Sequence, residues 1–342
     1  MVYQPADNPL LSSRSRAQQV AVTAEQAGQR LDKVLGFLLP EVPRTRLFRL
    51  IRKGEVRVNG KRSGPDQRLQ EGDVVRVPPV RVESLAGGGS GPGDPPRASG
   101  PRVPRSLIEQ LERAILHEDE RLLVVNKPAG VAVHGGSGLS FGIIEALRAS
   151  RPEETLELAH RLDRDTSGCL LVARKSTALR TLHALMRDNQ VHKQYLVLVL
   201  GRWELGHKQV RAALRTDTRV GGERTVRVDP HGKESHTEFR LVEHFGSRAS
   251  LLEATLHSGR THQIRVHAAY CGHPVAGDDK YGDAAANKEF RELGLGRLFL
   301  HAHNCSFEWP GGAEQSFSAP LPDDLRPVLD ALQERTRSRR RR

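Results

Sequence analysis

Two carboxylates and two guanidiniums stand within five residues in the segment His160–Gly168, which reads His-Arg-Leu-Asp-Arg-Asp-Thr-Ser-Gly. In an extended chain, Asp163 and Asp165 would project to the same side, where carboxylates can act as acids, bases or nucleophiles. In a turn, the same side chains would instead accept hydrogen bonds from backbone N–H groups. The spacing alone leaves both interpretations open.

Apolar runs around this segment predict the strands that must hold it. Cys169–Ala173 is apolar and partly β-branched, which is typical of a buried strand, and Leu122–Asn126 reads the same way. Tyr195–Leu200 is apolar on both faces and therefore predicts a central strand. Further strands are expected over 237–243, 250–257 and 298–307. Helices are expected over 140–150 and 261–271, and a third helix is expected to begin after Ser176 as its N-cap. The elements do not alternate as βαβ units, so we expect an α+β domain with a mixed, mostly antiparallel sheet.

Shifts in composition divide the chain into five segments. Residues 1–20 are polar and aperiodic and predict a disordered leader, and residues 83–106 hold six glycines and five prolines, as in a flexible linker. Residues 21–82 predict a small α/β module and residues 107–333 the larger domain. The last segment, 334–342, is an arginine-rich tail of the kind that is normally disordered.

The small module carries a concentrated positive charge. Between residues 44 and 62 there are eight basic side chains and one acidic side chain, on a predicted helix and a hairpin with an Asn-Gly turn. A solvated surface usually mixes both signs, so this pattern favours nucleic-acid binding. The predicted contacts are Arg44, Arg46, Arg49, Arg52, Lys53, Arg57, Lys61 and Arg62. Phe37 and Phe48 are expected in the core, which leaves no aromatic platform for single strands.

Composition excludes several classes of protein. The formal net charge of +12 favours a nucleic-acid partner, and no apolar run is long enough to span a membrane. Three isolated cysteines indicate a reducing compartment, hence the cytoplasm, and argue against structural zinc. His301 and His303 alternate on a predicted strand, but the nearby sequence offers no third ligand, so no metal site is expected.

Four motifs, in order, resemble those of the RluA-type pseudouridine synthases, which isomerise uridine in RNA. They are Lys127–Gly130, the segment His160–Gly168, Lys193–Tyr195 and Gly259–His267. The similarity covers roughly residues 115–332 and is greatest to the RluC branch, whose members act on large-subunit ribosomal RNA. The N-terminal module resembles the alpha-L RNA-binding module. The resemblance implies a mixed-sheet catalytic fold and a monomeric, cofactor-free isomerase that flips its target base.

The resemblance also assigns roles to individual residues. Asp163 matches the catalytic aspartate, which either attacks ribose C1′ or removes a ribose proton. Arg265 matches the arginine that pairs with this aspartate, and Tyr195 matches the tyrosine that stacks on the flipped base. Ile264 would line the pocket, and Arg161 would enter the RNA stack unless it forms a structural ion pair. Asp165 is expected to support the turn, and His160, His262 and His267 to be structural.

A second interpretation remains open. A non-catalytic RNA-binding factor of ribosome assembly would show the same basic module and tail. The presence of Asp163, Tyr195 and Arg265 together favours the enzyme. The sequence does not specify which uridines are modified, or how many.

Overall fold

The computed structural model describes residues 17–23, 26–39, 42, 44–79, 103–135, 141–218 and 224–340. The chain forms two compact units, residues 1–99 and 100–342. Most of the expected leader and of the expected linker lies outside the described residues. Gln18–Ala21 form a strand, however, so the end of the expected leader belongs to a sheet, and residues 105–106 of the expected linker are helical. Within the described ranges, no helix is long and apolar enough to cross a membrane.

In its described residues, the first unit packs two helices on a four-stranded antiparallel sheet. Its elements are β1 (Gln18–Ala21), α1 (Leu31–Leu38), α2 (Arg44–Lys53), β2 (Arg57–Val58), β3 (Lys61–Arg62) and β4 (Val74–Val77). The strand order is β1-β4-β2-β3. Four apolar residues of α1 are buried, as their helical spacing predicts: Leu31, Val34, Leu35 and Leu38.

Turn residues of this unit adopt the conformations that their types favour. Asn59 and Gly60 both have positive φ, at 50° and 75°, which is the tight hairpin turn expected from an Asn-Gly pair. Gly54 ends α2 with φ 74°. The expectation of a buried Phe37 is wrong, because its side of α1 faces away from the core and the residue is 64 % exposed.

The second unit contains six helices and twelve strands among its described residues. The helices are α3 (Arg105–Arg113), α4 (Ile143–Ser150), α5 (Ser176–Arg187), α6 (Gln263–Tyr270), α7 (Ala284–Glu292) and α8 (Arg326–Arg340). The strands are β5 (Ile115–Glu118), β6 (Leu122–Lys127), β7 (Glu157–Leu158), β8 (Ser167–Ala173), β9 (His192–Leu200), β10 (Lys208–Arg211), β11 (Leu214–Thr218), β12 (Arg224–Val228), β13 (His236–Phe245), β14 (Ala249–Leu256), β15 (Leu300–Glu308) and β16 (Glu314–Ser318).

Ten of these strands form one mixed sheet. Its order is β10-β13-β14-β9-β15-β8-β6-β5, with β16 added to β15 and β7 to β8. Every pair is antiparallel except β8 and β15, which run parallel through the pairs Ser167–His301 and Gly168–Ala302. The strands β11 and β12 form a separate hairpin. The α+β class and the mostly antiparallel sheet are thus confirmed.

Both faces of this sheet are covered. On β9, Tyr195, Val197 and Val199 belong to one apolar cluster, and Leu198 belongs to another. Alternate residues of a strand face opposite sides, so β9 is buried on both faces. Its position between β14 and β15 confirms the predicted central strand.

Two helix ends differ from the sequence prediction. The N-cap of α5 is Lys175, and no side-chain cap hydrogen bond is formed, so Ser176 is the first helical residue and not the cap. The helix α8 continues through Arg340, so the described part of the arginine-rich segment is helical and not disordered. Its early turns are held in the core by Val328 and Leu332, next to Leu325 just before the helix. Arginine is a good helix former and lets the helix continue.

Candidate active site

Asp163 lies on a loop that leads into β8, which we call the Asp163 loop (residues 159–166). The N–H of Thr166 donates to the carbonyl of Asp163 at 3.2 Å, so the segment is a turn and not the extended chain in which both aspartates share a side. The side chain of Asp163 is 20 % exposed, and its Oδ2 lies 3.9 Å from Nε2 of His262. Asp165 instead contacts Nε of Arg164 at 3.3 Å and is about half exposed.

A buried lysine fastens the Asp163 loop to the loop that follows β6. Nζ of Lys127 donates to the carbonyls of Pro128, Val131 and Arg164 at 2.7, 2.8 and 2.9 Å. The N–H of Gly130 also donates to the carbonyl of Arg164 at 2.8 Å. Burial lowers the pKa of Lys127 to about 7, although the nearby charges of Asp165 and Asp163 oppose the shift. The sequence analysis singled out the motif Lys127–Gly130 only by its resemblance to the family. In the structure, its Lys127 and Gly130 bond the Asp163 loop through the Arg164 carbonyl.

The start of β8 requires a glycine. Gly168 has φ 111°, and a Cβ atom there would lie 2.2 Å from the carbonyl oxygen of Ala302 on β15. No other residue type can be accommodated without separating the two strands. Beside it, Ser167 Oγ lies 2.9 Å from Nδ1 of His301 and accepts from Nη2 of Arg297 at 3.3 Å. The Ser-Gly pair after the aspartates is thus explained by strand packing.

The histidine at the start of the Asp163 loop ties it to the same strand. Nε2 of His160 accepts a hydrogen bond from the N–H of Leu171 at 3.0 Å, which requires an unprotonated nitrogen. Burial, reinforced by the charge of Lys193, lowers the pKa of His160 to about 3. The structural role expected for His160 therefore has a specific contact.

Arg265 forms its hydrogen bonds with Asp278 and not with Asp163. Nε and Nη2 of Arg265 each lie 2.7 Å from the Asp278 carboxylate, whose side chain is fully buried. Burial alone would raise the pKa of Asp278, but the hydrogen bonds and charge of Arg265 hold it below its ordinary value. Asp163 contributes a smaller electrostatic attraction to Arg265, so the two groups are neighbours without a direct hydrogen bond.

Asp278 also organises the turn that follows it. Its Oδ1 accepts the N–H groups of Lys280 and Tyr281 at 2.9 and 3.0 Å. The guanidinium of Arg265 lies 5.0 Å above the ring of Tyr281, within the range of a cation–π contact. The sequence prediction missed both Asp278 and Tyr281. The run Gly277–Gly282, with three charged residues and a tyrosine between glycines, was the available signal.

His262 connects this turn to Asp163. It precedes α6 in the left-handed conformation, with φ 52°, which is uncommon for a residue other than glycine. Its Nδ1 lies 2.7 Å from the hydroxyl oxygen of Tyr281, while Nε2 faces Asp163. Burial lowers the pKa of His262 and favours the neutral ring, and the Asp163 carboxylate acts in the opposite direction.

Two predicted pocket residues are buried together. Tyr195 is 6 % exposed and Ile264 is 3 % exposed, and both belong to the same apolar cluster. Burial raises the pKa of Tyr195, and the charges of Cys305 and Asp163 add to the shift. By contrast, Arg161 is exposed and forms no ion pair with any described residue.

A cleft of about 490 Å³ lies beside the Asp163 loop. Asp165, Ser167 and Asn126 contribute to its walls, together with the ion pair of Arg297 and Asp324. Asp165 therefore belongs to this cleft, whereas Asp163 faces His262. The turn at residues 163–166 separates the two carboxylates that the sequence placed side by side.

Histidine and cysteine residues of the described ranges do not assemble a metal centre. No group of three or more potential ligands is placed to hold an ion there. His301 has Ser167 Oγ and the carbonyl of Ala319 within hydrogen-bond distance of its two nitrogens, and His303 has the same carbonyl. These contacts account for the alternating histidines of β15.

The first unit presents a basic surface. Six of the predicted side chains are exposed and one, Arg46, is half-buried; the exposed ones are Arg49, Arg52, Lys53, Arg57, Lys61 and Arg62. The Arg44 side chain lies outside the described part of the structure. Nη1 of Arg57 donates to the carbonyl of Gly60 at 3.4 Å, which holds that side chain along the hairpin. The arrangement suits contacts with phosphates.

Comparisons with known proteins match both units. Residues 121–270 match the model of the family described as RNA pseudouridylate synthase, and residues 29–75 match the S4 domain. The ribosomal large subunit pseudouridine synthase C of Pasteurella multocida is 48 % identical over 322 residues, which cover 93 % of this chain and 95 % of that protein. The protein of the same name from Escherichia coli K12 is 48 % identical over 317 residues, with 92 % and 96 % covered.

Solved structures give the same picture for the fold. Human RNA pseudouridylate synthase domain containing 4 aligns with a TM-score of 0.56 at 26 % identity, over 67 % of this chain and 96 % of that chain. Human RNA pseudouridylate synthase domain containing 1 aligns with a TM-score of 0.53 at 28 % identity, over 66 % and 88 %.

Proposed function

The chain belongs to the RNA pseudouridylate synthase family, and we propose that it isomerises specific uridines in large-subunit ribosomal RNA, with Asp163 as the catalytic carboxylate. The similarity to two large-subunit synthases at 48 % identity, over more than nine-tenths of this chain, supports the choice of substrate. We further propose that it acts as a monomer in the cytoplasm, where the RNA is available.

The isomerisation of uridine requires few catalytic groups. The bond between ribose C1′ and uracil N1 breaks, the base turns, and a new bond forms between C1′ and C5. C5 loses a proton and N1 gains one, so atoms and electrons balance without a redox partner or an activated water. A carboxylate at the ribose therefore suffices, acting either on C1′ or on a ribose proton.

The observation that carries the assignment of Asp163 is its placement. It is the partly exposed carboxylate that faces His262 and acts electrostatically on Arg265 and Tyr195, on a loop that Lys127 and β8 hold from two sides. A group held by rigid elements keeps its position when the substrate binds. Asp165 points into a separate cleft and is assigned a supporting role in the turn.

The remaining predicted residues serve base flipping. A uridine inside an RNA stack hides C1′ and C5, so the base has to leave the stack before it reacts. Tyr195 and Ile264 are proposed to contact the extruded uracil, and the exposed Arg161 to fill the gap in the stack. Arg265 and its partner Asp278 stabilise the floor of the site.

The S4 domain is proposed to place the enzyme on its RNA. Its exposed basic residues form a surface for phosphates, which supply affinity with little sequence information. Its exposed Phe37 is an additional apolar group on this unit.

Mapping pseudouridine in ribosomal RNA tests the proposal. RNA from cells with and without the gene would be compared, and wild-type protein and Asp163→Asn would then be returned to the deletion strain. We expect defined large-subunit positions to lose pseudouridine and to regain it only with the wild type. Loss confined to small-subunit or transfer RNA would contradict the proposed substrate.

A further inference from the structure

The hydroxyl group of Tyr281 lies between a backbone N–H of the β11–β12 hairpin and the ring of His262. It accepts a hydrogen bond from the N–H of Val226 at 3.0 Å, and it lies 2.7 Å from His262 Nδ1. The hairpin is held against α6 by a small apolar cluster of Leu214, Val226 and Val266. Both neighbours of the phenol oxygen are thus fixed in position.

The direction of each hydrogen bond follows from the donors that are present. An amide N–H can only donate, so the Tyr281 oxygen is the acceptor from Val226. The single phenol proton is then free to be donated, and among the described residues His262 Nδ1 is the acceptor within reach. A neutral imidazole whose Nδ1 accepts must carry its proton on Nε2.

The opposite direction, in which His262 Nδ1 donates to the Tyr281 hydroxyl, is unfavourable for both Tyr281 and His262. If Nδ1 were the donor, the phenol proton would have no acceptor among the described residues. Nε2 would then present a lone pair to the Asp163 carboxylate 3.9 Å away, so that two acceptors would face each other. The partly buried setting of His262 and Asp163 strengthens this repulsion.

We propose that Tyr281 is a positioning residue that fixes the His262 ring with Nε2–H towards Asp163. The motif resemblance implied only a structural role for His262, and the sequence prediction did not include Tyr281. His262 then directs an N–H, and not a lone pair, at the carboxylate that the proposed reaction uses, 3.9 Å away. The inference rests on the proposed function only for the consequence on rate, since the ring's protonation can be observed without RNA.

Tyr281→Phe removes the hydroxyl and keeps the ring over Arg265. Single-turnover rates at saturating RNA should fall roughly tenfold, the factor that corresponds to one hydrogen bond of about 1.4 kcal/mol, with the Kd for RNA unchanged. Tyr270→Phe is the matched control, because Tyr270 ends α6 and is 63 % exposed. It should react at the wild-type rate.

A second experiment combines His262→Gln with Tyr281→Phe. The glutamine amide can donate to Asp163 without help from Tyr281, so adding Tyr281→Phe to this variant should cause no further loss of rate. Full additivity of the two changes, or a Tyr281→Phe variant that loses RNA affinity at an unchanged saturated rate, would overturn the proposal.

Nitrogen-15 spectra of histidine-labelled protein give a readout that does not depend on activity. The signals absent from His262→Gln identify the ring, and in the wild type we expect Nδ1 unprotonated and Nε2 protonated. A proton on Nδ1 at neutral pH would refute the assigned direction. If the ring is as expected but the wild type makes no pseudouridine, the proposed function fails while the ring assignment stands.

Discussion

Arg265 and Asp278 form a bidentate ion pair with both N–O distances at 2.7 Å and the carboxylate fully shielded from solvent. Asp278→Asn should therefore leave a buried guanidinium without its counter-charge. Breaking such a pair costs about 3–5 kcal/mol, so we expect that loss in the free energy of unfolding measured with urea.

The neighbouring Asp279 is the matched control for this change. It is 82 % exposed at its side chain and pairs with Arg291 on the surface at 3.1 Å. Asp279→Asn should change the free energy of unfolding by less than about 1 kcal/mol. Equal effects of the two substitutions would show that the Arg265–Asp278 pair is not a structural anchor.

Asp163→Asn should stop the reaction while leaving RNA binding intact. An amide can neither attack C1′ nor accept a ribose proton, so we expect the rate to fall by on the order of 10⁴-fold, the upper range for a positioned acid or base. The assay is chromatography of digested nucleosides, since the isomers have equal mass. Asp165→Asn should retain turnover, because its carboxylate lines the separate cleft. Loss of activity in folded Asp165→Asn alone would reverse the assignment.

His160 should contribute to the pH dependence of stability. Its folded pKa of about 3 lies below the ordinary value near 6.5, so between these values the unfolded chain binds a proton that the folded chain does not. Stability is therefore lost as the pH falls through this window. Relative to His160→Gln, the wild type should lose about 1.4 kcal/mol per pH unit between pH 5.5 and 4, measured by urea unfolding. Parallel curves for the two proteins would contradict the neutral ring of His160 in the folded protein.

The basic surface of the S4 domain should determine the salt dependence of binding. Replacing Arg49, Arg52 and Lys53 with glutamine removes three exposed positive charges from α2. For each RNA phosphate that is no longer neutralised, the slope of log affinity against log salt should decrease by roughly 0.7–0.9. The saturated reaction rate should stay the same. An unchanged slope would place the phosphate-binding residues elsewhere.

Activity should survive removal of divalent metal. The isomerisation balances without an activated water or a redox partner, so EDTA in a buffer of monovalent salt should not reduce the rate on an RNA that keeps its fold. A loss of turnover that zinc restores would disprove the cofactor-free chemistry expected from the sequence.

Much of the sheet could be predicted because its strands are buried on both faces. The apolar runs at 122–126, 169–173 and 195–200 have almost no polar interruption and correspond to β6, β8 and β9. The β11–β12 hairpin was not predicted, because its polar residues outnumber Leu214, Val226 and Val228 and give no clear apolar face.

The site was harder to predict than the fold because its contacts are long-range. Asp163 was predicted from a local motif, but His262, the basic side chain that it faces, is 99 residues away along the chain. Arg265 was predicted too, whereas its partner Asp278, in the turn after α6 and 13 residues further along the chain, was missed. Even the turn at Asp163 depends on Lys127, whose ammonium group bonds the Arg164 carbonyl.

The short parallel pairing of β8 with β15 joins two halves of the large sheet. Only two residue pairs register across it, and it divides the sheet into a half that carries the Asp163 loop and a half that carries Tyr195 on β9. Asp163 and Tyr195 therefore belong to different halves of the sheet. Gly168, which has no Cβ, lies at this narrow join, so a larger residue there would push apart the half that carries the Asp163 loop and the half that carries Tyr195.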